Sequence, residues 1–440
     1  MNILLDSIEF PSISMAKQNI RKQFLEDERT HIQAFSGGKD SSLLLHLFLE
    51  MLLDLKNEGI KTRKSFIVTS DTGVEMPMIT GYVRNKLASI EQFIKKEKLN
   101  VEVKVLKPEI NDGFYVCLIG RGFASPNQRF RWCTDRLKIL PGVKYLTSLA
   151  KVHKSIILHI GVRTDESIAR AESINKRDYN SRDLTIHDKI PNAYNYSPLK
   201  NVGTTELWRY LTKVPALWGT HRDMMKLYDK GSSEADCNVV LNPNSESCGK
   251  TRFGCSVCTV SEDKSMQGML LNGEEWMKPL FDFRNKIFDY RYDHSKRRDK
   301  NSFGMNVAGK FLLSVRKELL EDILRDEAKM KDKLIEKTGS AQLISNEEII
   351  AINKFWKKDG DFSNEALKLA NKYGRNLQVP EANTVDIKNI CDEVGIDALF
   401  FAEVISINQE HRHSLRRIGI ANEQKELVKN YVQGEVHEDK

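Results

Sequence analysis

Short hydrophobic runs alternate with helical patterns through the first 200 residues of the chain. The runs at 31–36, 64–71, 101–108 and 155–163 have the length and composition of buried strands. The helical segment SSLLLHLFLEMLLDLKNEG follows the first run and ends at Gly59. Strands that alternate with helices predict an α/β fold with a doubly wound parallel sheet, in which ligands bind at the carboxyl ends of the strands.

The strand pattern fades after about residue 200, and helical patterns replace it. Turn-forming residues dominate the cysteine-containing segment, and residues 310–337 have the spacing of a long amphipathic helix. The sequence therefore predicts four regions. These are an N-terminal extension at 1–30, an α/β domain at 31–200, a cysteine-rich and basic segment at 201–300, and a helical C-terminal region at 301–440.

Composition favours a soluble protein of the cytoplasm. The chain has 440 residues, of which 40% are hydrophobic and 29% are charged. Its most apolar stretch, at 43–55, contains His46, Glu50 and Asp54 and is too short to span a bilayer. The N-terminus lacks the pattern of a secretory signal. Seven cysteines in such a chain favour metal or redox chemistry over disulfides, and no membrane association is expected.

The segment FSGGKDSS, at 35–42, lies where the first predicted strand meets the first predicted helix. Two glycines allow backbone amides to converge on an anion, the helix adds its positive end, and a lysine adds a full charge. Because Asp40 follows the lysine, the segment is not a Walker A loop. The candidate phosphate site consists of Ser36, Gly37, Gly38, Lys39, Asp40 and Ser41.

Charged side chains also follow two other predicted strands. Asp71, in SDTGVE, would meet a ribose or a magnesium ion, or would instead cap a helix. Arg163, in GVRTDESIAR, would extend into the same cleft and hold phosphate oxygens in a bidentate grip. Ion pairing between Arg163 and Glu166 is the structural alternative.

The segment at 120–141 is basic and aromatic, with Asp135 as its single acid. Cations that neutralise phosphates and rings that stack on bases suit a nucleic-acid strand, although a solvated loop is equally compatible with this composition. Two further basic patches, at 290–300 and 410–417, add to the case for a polymer. The residues concerned in the first segment are Arg121, Phe123, Arg129, Phe130, Arg131, Trp132, Arg136 and Lys138.

Cys133 lies inside this basic segment, and we expect the cations to lower its pKa and favour the thiolate. Such a thiolate would relay sulfur or attack an activated intermediate, unless the side chain only packs. Four other cysteines follow the spacing C-x10-C-x6-C-x2-C. Four thiolates fit either tetrahedral zinc or an iron-sulfur cluster, and the spacing leaves both open. These candidate ligands are Cys237, Cys248, Cys255 and Cys258.

Several motifs together resemble a known family. SGGKDS resembles the PP-loop of ATP pyrophosphatases, and DTG with GVRTDESIAR is similar to motifs of phosphoadenylylsulfate (PAPS) reductases. With RFRWCTDRLKI, SCGKTRFGCSVCTVSEDKSM and PLFDFRN, the set resembles the DndC family, the PAPS-reductase-like proteins of DNA phosphorothioation, over about residues 31–300. The resemblance implies that 31–200 is a PP-loop ATP pyrophosphatase domain, of the adenine nucleotide alpha hydrolase-like type.

The resemblance also implies a chemistry. ATP and Mg²⁺ would activate a non-bridging oxygen of a DNA phosphodiester by adenylation, and sulfur from a cysteine desulfurase would replace it. Lys39, Asp40, Arg163 and Cys133 are the expected catalytic residues, and the four other cysteines are expected to hold a 4Fe-4S cluster. DndD- and DndE-like proteins are the implied partners.

Four alternatives remain at this level. A PAPS or adenylylsulfate reductase lacks the extended basic and aromatic segment, and many carry a C-terminal redox cysteine motif that this chain lacks, since Cys391 is its only cysteine after Cys258. A tRNA thiolase and an SspD-type sulfurtransferase share the PP-loop. An iron-sulfur sensor with a vestigial nucleotide site is disfavoured by the intact SGGKDS.

Overall fold

The computed structural model describes residues 9–166, 172, 179–231, 253–260, 264–298, 308–380, 387–397, 400–401, 403–404, 407 and 420–432. The chain divides into two compact units. Unit 1 consists of Met1–Glu109, Pro126–Arg284 and Asp332–Ala341, and unit 2 consists of Ile110–Ser125, Asn285–Lys331 and Gln342–Lys440. Each unit thus combines stretches that are distant in sequence. The four consecutive regions stay a prediction.

Unit 1 contains a six-stranded sheet in the order β3-β2-β1-β4-β6-β5. All neighbouring pairs are parallel except β5 with β6. The four strands predicted from apolar runs are confirmed, and the short strands β5 and β6 were missed because LTI and AYNY have no such run. The strands are β1 (Thr30–Ala34), β2 (Ser65–Ser70), β3 (Val101–Leu106), β4 (Ile156–His159), β5 (Leu184–Ile186) and β6 (Ala193–Tyr196).

Helices cover this sheet, and the apolar stretch at 43–55 lies in a central one, α2. Leu43, Leu44 and Phe48 of α2 are fully buried because the helix packs between the sheet, α1 and α5. The buried helix predicted there is confirmed. The helices of unit 1 are α1 (Pro11–Glu26), α2 (Lys39–Asn57), α3 (Pro77–Lys96), α4 (Leu140–Val152), α5 (Thr204–Lys213), α6 (Arg222–Lys230), α7 (Lys264–Leu271) and the first part of α8 (Lys278–Tyr292), whose residues after Arg284 belong to unit 2.

The described part of unit 2 is helical. The predicted long amphipathic helix is observed as α9, and α10 begins with a capping box between Ser345 and Glu348. Trp356 is fully buried, and its indole nitrogen donates to the Ile119 carbonyl at 2.8 Å. The remaining helices are α9 (Leu313–Thr338), α10 (Asn346–Lys358), α11 (Glu365–Lys372), α12 (Ile387–Val394) and α13 (Ile420–Val432). Over the described ranges, no helix has the length and apolar character that crossing a membrane requires.

Candidate active site

A cavity of about 790 Å³ opens in unit 1 at the carboxyl ends of the central strands. The phosphate loop, residues 36–41, forms one wall, and the residues after β2 form another. Tyr228 of α6 and the segment that contains Cys255 complete the lining. The sheet topology explains this position, because parallel strands end at one edge and the loops that follow them leave a crevice there.

The phosphate loop has the backbone that an anion site needs. Gly37 has a φ of +77°, and a Cβ atom there would lie 2.8 Å from Cγ2 of Val83, so only glycine fits. The Tyr82 hydroxyl donates to the Gly37 carbonyl at 3.1 Å. Gly38 precedes α2, and no described side chain caps that helix. The positive end of α2 is therefore available to a phosphate.

The hydroxyls of Ser36 and Ser41 lie 3.1 Å apart and link the two ends of this loop. The Ser36 amide donates to Oγ of Ser41 at 3.2 Å, and that hydroxyl donates to the Gly38 carbonyl at 3.0 Å. The Lys39 amide donates to the Tyr228 hydroxyl at 3.3 Å. The loop is therefore held by its own serines and by tyrosines from two helices.

Arg163 lies beneath the loop instead of lining the cavity. Its side chain is 1% exposed, and Nε donates to Oδ1 of Asp40 at 2.5 Å. Nη1 donates to the Val202 carbonyl at 2.9 Å and to Thr204 Oγ1 at 3.2 Å. The projection of Arg163 into the cleft, expected from sequence, is therefore not observed. Its acidic partners are Asp40 and, at 3.8 Å, Asp165, while the side chain of Glu166 lies outside the described part of the structure. The structure gives Arg163 the position of a residue that orients the loop.

Asp40 is shared between two cations. Lys39 Nζ lies 3.0 Å from Oδ2, on the other side of the carboxylate from Arg163. Gly161 allows this arrangement, because a Cβ atom there would lie 3.1 Å from the Asp40 carbonyl carbon. Lys39 lines the cavity, and it would exchange its carboxylate partner for phosphate oxygens if an anion entered.

Asp71 lines the cavity as its place after β2 predicts. Its Oδ1 accepts from the Gly73 amide at 3.0 Å, and its Oδ2 lies 3.2 Å from Lys107 Nζ. The alternative role as a helix cap is not observed, because α3 begins at Pro77 with no side-chain cap. Asp71 therefore offers a half-exposed carboxylate to a ribose or a metal ion.

The cysteine segment meets the loop after β2 directly. Cys255 forms an antiparallel bridge with Glu75, and the Ser256 amide donates to the Val74 carbonyl at 2.8 Å. Thr72 Oγ1 lies 3.8 Å from the Cys255 sulfur. These contacts place Cys255 in the wall of the phosphate cavity.

The C-x2-C pair forms a hydrogen-bonded turn. The Cys258 amide donates to the Cys255 carbonyl at 3.1 Å, and Arg284 Nε donates to the Cys258 carbonyl at 2.7 Å. Burial raises the pKa of the Cys255 thiol to about 11, while nearby Lys138 lowers it. A metal centre would remove this cost by taking the thiolate. The donor set thus fits a metal or an iron-sulfur centre.

The full predicted ligand set cannot be seen together, because Cys237 and Cys248 lie outside the described residues. Over the ranges that are described, no three cysteine, histidine or acidic side chains are grouped as a metal site. The four-cysteine ligand set stays a prediction.

Cys133 lies near Cys258, in a segment that hydrogen bonds to the residues directly after the C-x2-C pair. Thr259 Oγ1 donates to the Pro126 carbonyl at 2.6 Å, and Gln128 Nε2 donates to the Val260 carbonyl at 3.0 Å. Burial raises the pKa of Cys133, and the neighbouring Cys258 acts in the same direction. The expected lowering of this pKa is therefore wrong, because burial and a second thiol outweigh the hydrogen bonds from Thr134 and the local backbone.

The basic and aromatic segment is divided between the two units at residue 125. In unit 1, Arg129, Phe130 and Arg131 are exposed, whereas Trp132 is buried. Phe130 and Trp132 therefore do not share one exposed surface. The basic patch at 410–417 lies outside the described residues.

Sequence reasoning missed four residues of the site. Tyr82 and Tyr228 come from helices with no motif around them, so no signal identified them. Glu75 and Lys138 lay inside segments already considered important, and both line the cavity. Glu75 accepts from the Thr72 amide at 3.1 Å and from the Thr72 hydroxyl at 2.6 Å.

Comparison with known proteins gives one extended match. The model of the phosphoadenosine phosphosulfate reductase domain matches residues 30–261, more than half of the chain. No curated protein sequence matches. The matched stretch contains every residue that lines the cavity.

Solved structures give weaker likenesses. Candida glabrata FMN adenylyltransferase with FMN and an ATP analog is 14% identical over 61% of this chain and 82% of that one, with a TM-score of 0.33. The same enzyme with FAD and inorganic pyrophosphate is 15% identical over 55% and 68%, with a TM-score of 0.32. The U34-tRNA thiolase NcsA from Methanococcus maripaludis, with its 4Fe-4S cluster, is 13% identical over 64% and 78%, with a TM-score of 0.29.

Proposed function

Because the chain belongs to the phosphoadenosine phosphosulfate reductase domain family, we propose that it uses ATP to activate a DNA backbone phosphate and replaces a non-bridging oxygen with sulfur. Family membership supports an enzyme that handles adenylated or sulfur-containing groups. DNA as the substrate is the more specific part of the proposal, and it rests on the DndC-like motifs of the sequence.

One observation carries this proposal. The phosphate loop and Cys255 line the same cavity, so a nucleotide phosphate and a sulfur centre would be neighbours. A cavity of about 790 Å³ is in the size range of nucleotide-sized ligand sites. An enzyme that only cleaved ATP would have no need of a thiol in this wall.

The residues of the cavity suit both halves of the reaction. In the first, a phosphodiester oxygen attacks the α-phosphorus of ATP and pyrophosphate leaves. The start of α2 and Lys39 would hold the negative oxygens, and Asp71 would bind the ribose or Mg²⁺. In the second, a sulfur nucleophile attacks the activated phosphorus, and the original oxygen leaves with AMP.

A 4Fe-4S cluster on Cys237, Cys248, Cys255 and Cys258 would supply sulfur handling or electron transfer beside this cavity. Lys138 and Arg284 lie near the described pair and would offset the charge of such an anionic centre. Cys133, next to Cys258, would accept or pass on sulfur from a cysteine desulfurase. DndD- and DndE-like proteins complete the proposed system.

The proposal is tested by mass spectrometry of nuclease-digested DNA from cells with and without the chain. We expect dinucleotides that contain sulfur to vanish without it and to return with the wild-type gene. The variant Asp71→Asn should restore less of them than the wild type, and Asp188→Asn, at an exposed turn outside the cavity, should restore them fully.

Digests of tRNA from the same cells distinguish this proposal from the alternative that the chain is a tRNA thiolase. Loss of thiolated nucleosides from tRNA, with DNA unchanged, would assign the chain to RNA. Persistence of sulfur-containing dinucleotides in cells that lack the chain would contradict the proposal.

A further inference from the structure

Five arginines from three separate stretches gather in unit 2, and we call them the arginine cluster. Arg316 Nη1 donates to the Gly120 carbonyl at 2.8 Å, and Arg291 Nη1 donates to the Ser125 carbonyl. Arg297 donates to the carbonyls of Arg291, Ala308 and Gly309 at 2.6 to 3.0 Å. The cluster consists of Arg121, Arg291, Arg297, Arg298 and Arg316.

These arginines are nearly free of carboxylates. Within the described part of the chain, their only ion pair joins Arg316 to Asp359 at 2.7 Å. The other hydrogen bonds of these guanidinium groups go to neutral carbonyls and, for Arg291, to the Tyr292 hydroxyl, and none of these partners compensates the positive charge with a carboxylate. Five guanidinium groups therefore share one acid.

The charges are close enough to disfavour one another. Burial lowers the pKa of Arg297, and Arg291 lowers it further. Burial also lowers the pKa of Arg316, Asp359 opposes this, and Arg298 adds to the lowering. Such repulsion costs folding free energy, and a bound polyanion would relieve it.

Some donors of the cluster have no partner at all. Nε and Nη2 of Arg316 and Nε of Arg121 are buried without a hydrogen bond in the structure. Arg316 is fully buried. Buried donors without partners are rare in folded proteins, because each loses its bonds to water without replacement. They strengthen the positive potential below the exposed Arg298.

Two aromatic rings stand beside the cluster. Phe288 and Tyr292 are 36% and 59% exposed, and their ring centroids lie 5.4 Å apart on the last turns of α8. Arg291 lies between them in sequence. Exposed rings next to uncompensated cations suit a strand with both phosphates and bases, and they would add nothing for a small anion or an acidic peptide.

We propose that the accessible members of the arginine cluster, Arg298 and the half-buried Arg121 and Arg291, bind the phosphodiester backbone of the nucleic-acid substrate, with Phe288 and Tyr292 in contact with its bases. The buried Arg316 contributes positive potential without touching the strand. The choice of DNA rests on the proposed function. The surface itself rests on the charge balance and the exposed rings of unit 2, which are independent of the cavity in unit 1.

The test measures how DNA binding by the full chain depends on salt. Fluorescence anisotropy of a labelled 20-mer duplex reports the binding at increasing KCl concentrations. The double variant Arg121→Gln and Arg298→Gln should weaken binding. The negative slope of log K against log salt should become less steep by about 2, which is about 1 for each lost phosphate contact. The control Lys331→Gln and Lys368→Gln removes the same charge from two exposed lysines of unit 2 and should keep the slope of the wild type. Thermal unfolding of both variants checks that they fold.

The possible results distinguish failure of the proposed binding surface from failure of the proposed function. Unchanged DNA binding by the folded arginine variant would overturn the surface and leave the proposed function standing. Binding of RNA but not DNA by the wild type, lost in the variant, would support the surface and overturn DNA as the substrate. Equal displacement of the duplex by polyglutamate of the same charge would overturn nucleic-acid recognition.

Discussion

Arg163 shows that burial can change the role expected of a residue from its sequence motif. Its guanidinium joins Asp40 of the phosphate loop to Val202 and Thr204, and this fork is not available to lysine. We expect Arg163→Lys to lower the free energy of unfolding by about 3 kcal/mol, because a buried ion pair is broken. Urea denaturation measures this loss.

A matched control for that substitution is Arg209→Lys, because Arg209 forms an exposed ion pair with Glu9. It should change the free energy of unfolding by less than about 1 kcal/mol. If Arg163 were instead a ligand of the phosphates, Arg163→Lys would raise the KM for ATP and leave stability unchanged.

The phosphate loop acts as one element, and its shape depends on Gly37. Alanine there would need a positive φ and would press against Val83, so Gly37→Ala should cost about 3 kcal/mol and abolish pyrophosphate release from ATP. Gly73 has a similar φ of +75°, but a Cβ atom there would meet no other atom within 4 Å, so Gly73→Ala should cost only about 1 kcal/mol. Equal losses of stability and activity in the two variants would contradict the crowding argument.

At the scale of the whole molecule, four buried histidines in the core of unit 1 make the stability of the protein depend on pH. His31 and His159 are in contact at 2.7 Å, and His46 and His221 lie near Trp218. Burial lowers the pKa of His31 and His46 to about 3 and that of His221 to about 4, and it also lowers the pKa of His159. In the folded protein these side chains are therefore neutral at mildly acidic pH.

The consequence is acid sensitivity. Below the ordinary histidine pKa of 6.5, the unfolded chain binds protons that the folded chain does not, so stability falls as the pH falls. Each such histidine should contribute about 1.4 kcal/mol per pH unit between about pH 6 and pH 4. The urea concentration at the unfolding midpoint, measured at pH 7, 6 and 5, should fall less with decreasing pH in His46→Leu than in the wild type. The exposed His294→Gln serves as control, and an identical decline in the wild type and His46→Leu would refute this explanation.

Sequence predicted strands β1 to β4, including the edge strand β3, because apolar runs mark them. It missed β5 and β6 because they are short and have mixed composition. It identified the residues of the phosphate loop and Asp71 because a strand end constrains them locally. It gave no signal for Tyr82 and Tyr228, because their role depends on helices that pack across the loop.

By itself, the sequence determined the α/β class, the phosphate loop and the presence of a cysteine segment, since these depend on short-range patterns. Tertiary structure alone decided that Arg163 lies below the loop and that Cys255 lines the cavity. It also decided that burial raises the pKa of Cys133 and that, among the described residues, five arginines have one carboxylate partner. Burial, charge balance and contacts between distant segments are properties of the folded chain, and no local pattern encodes them.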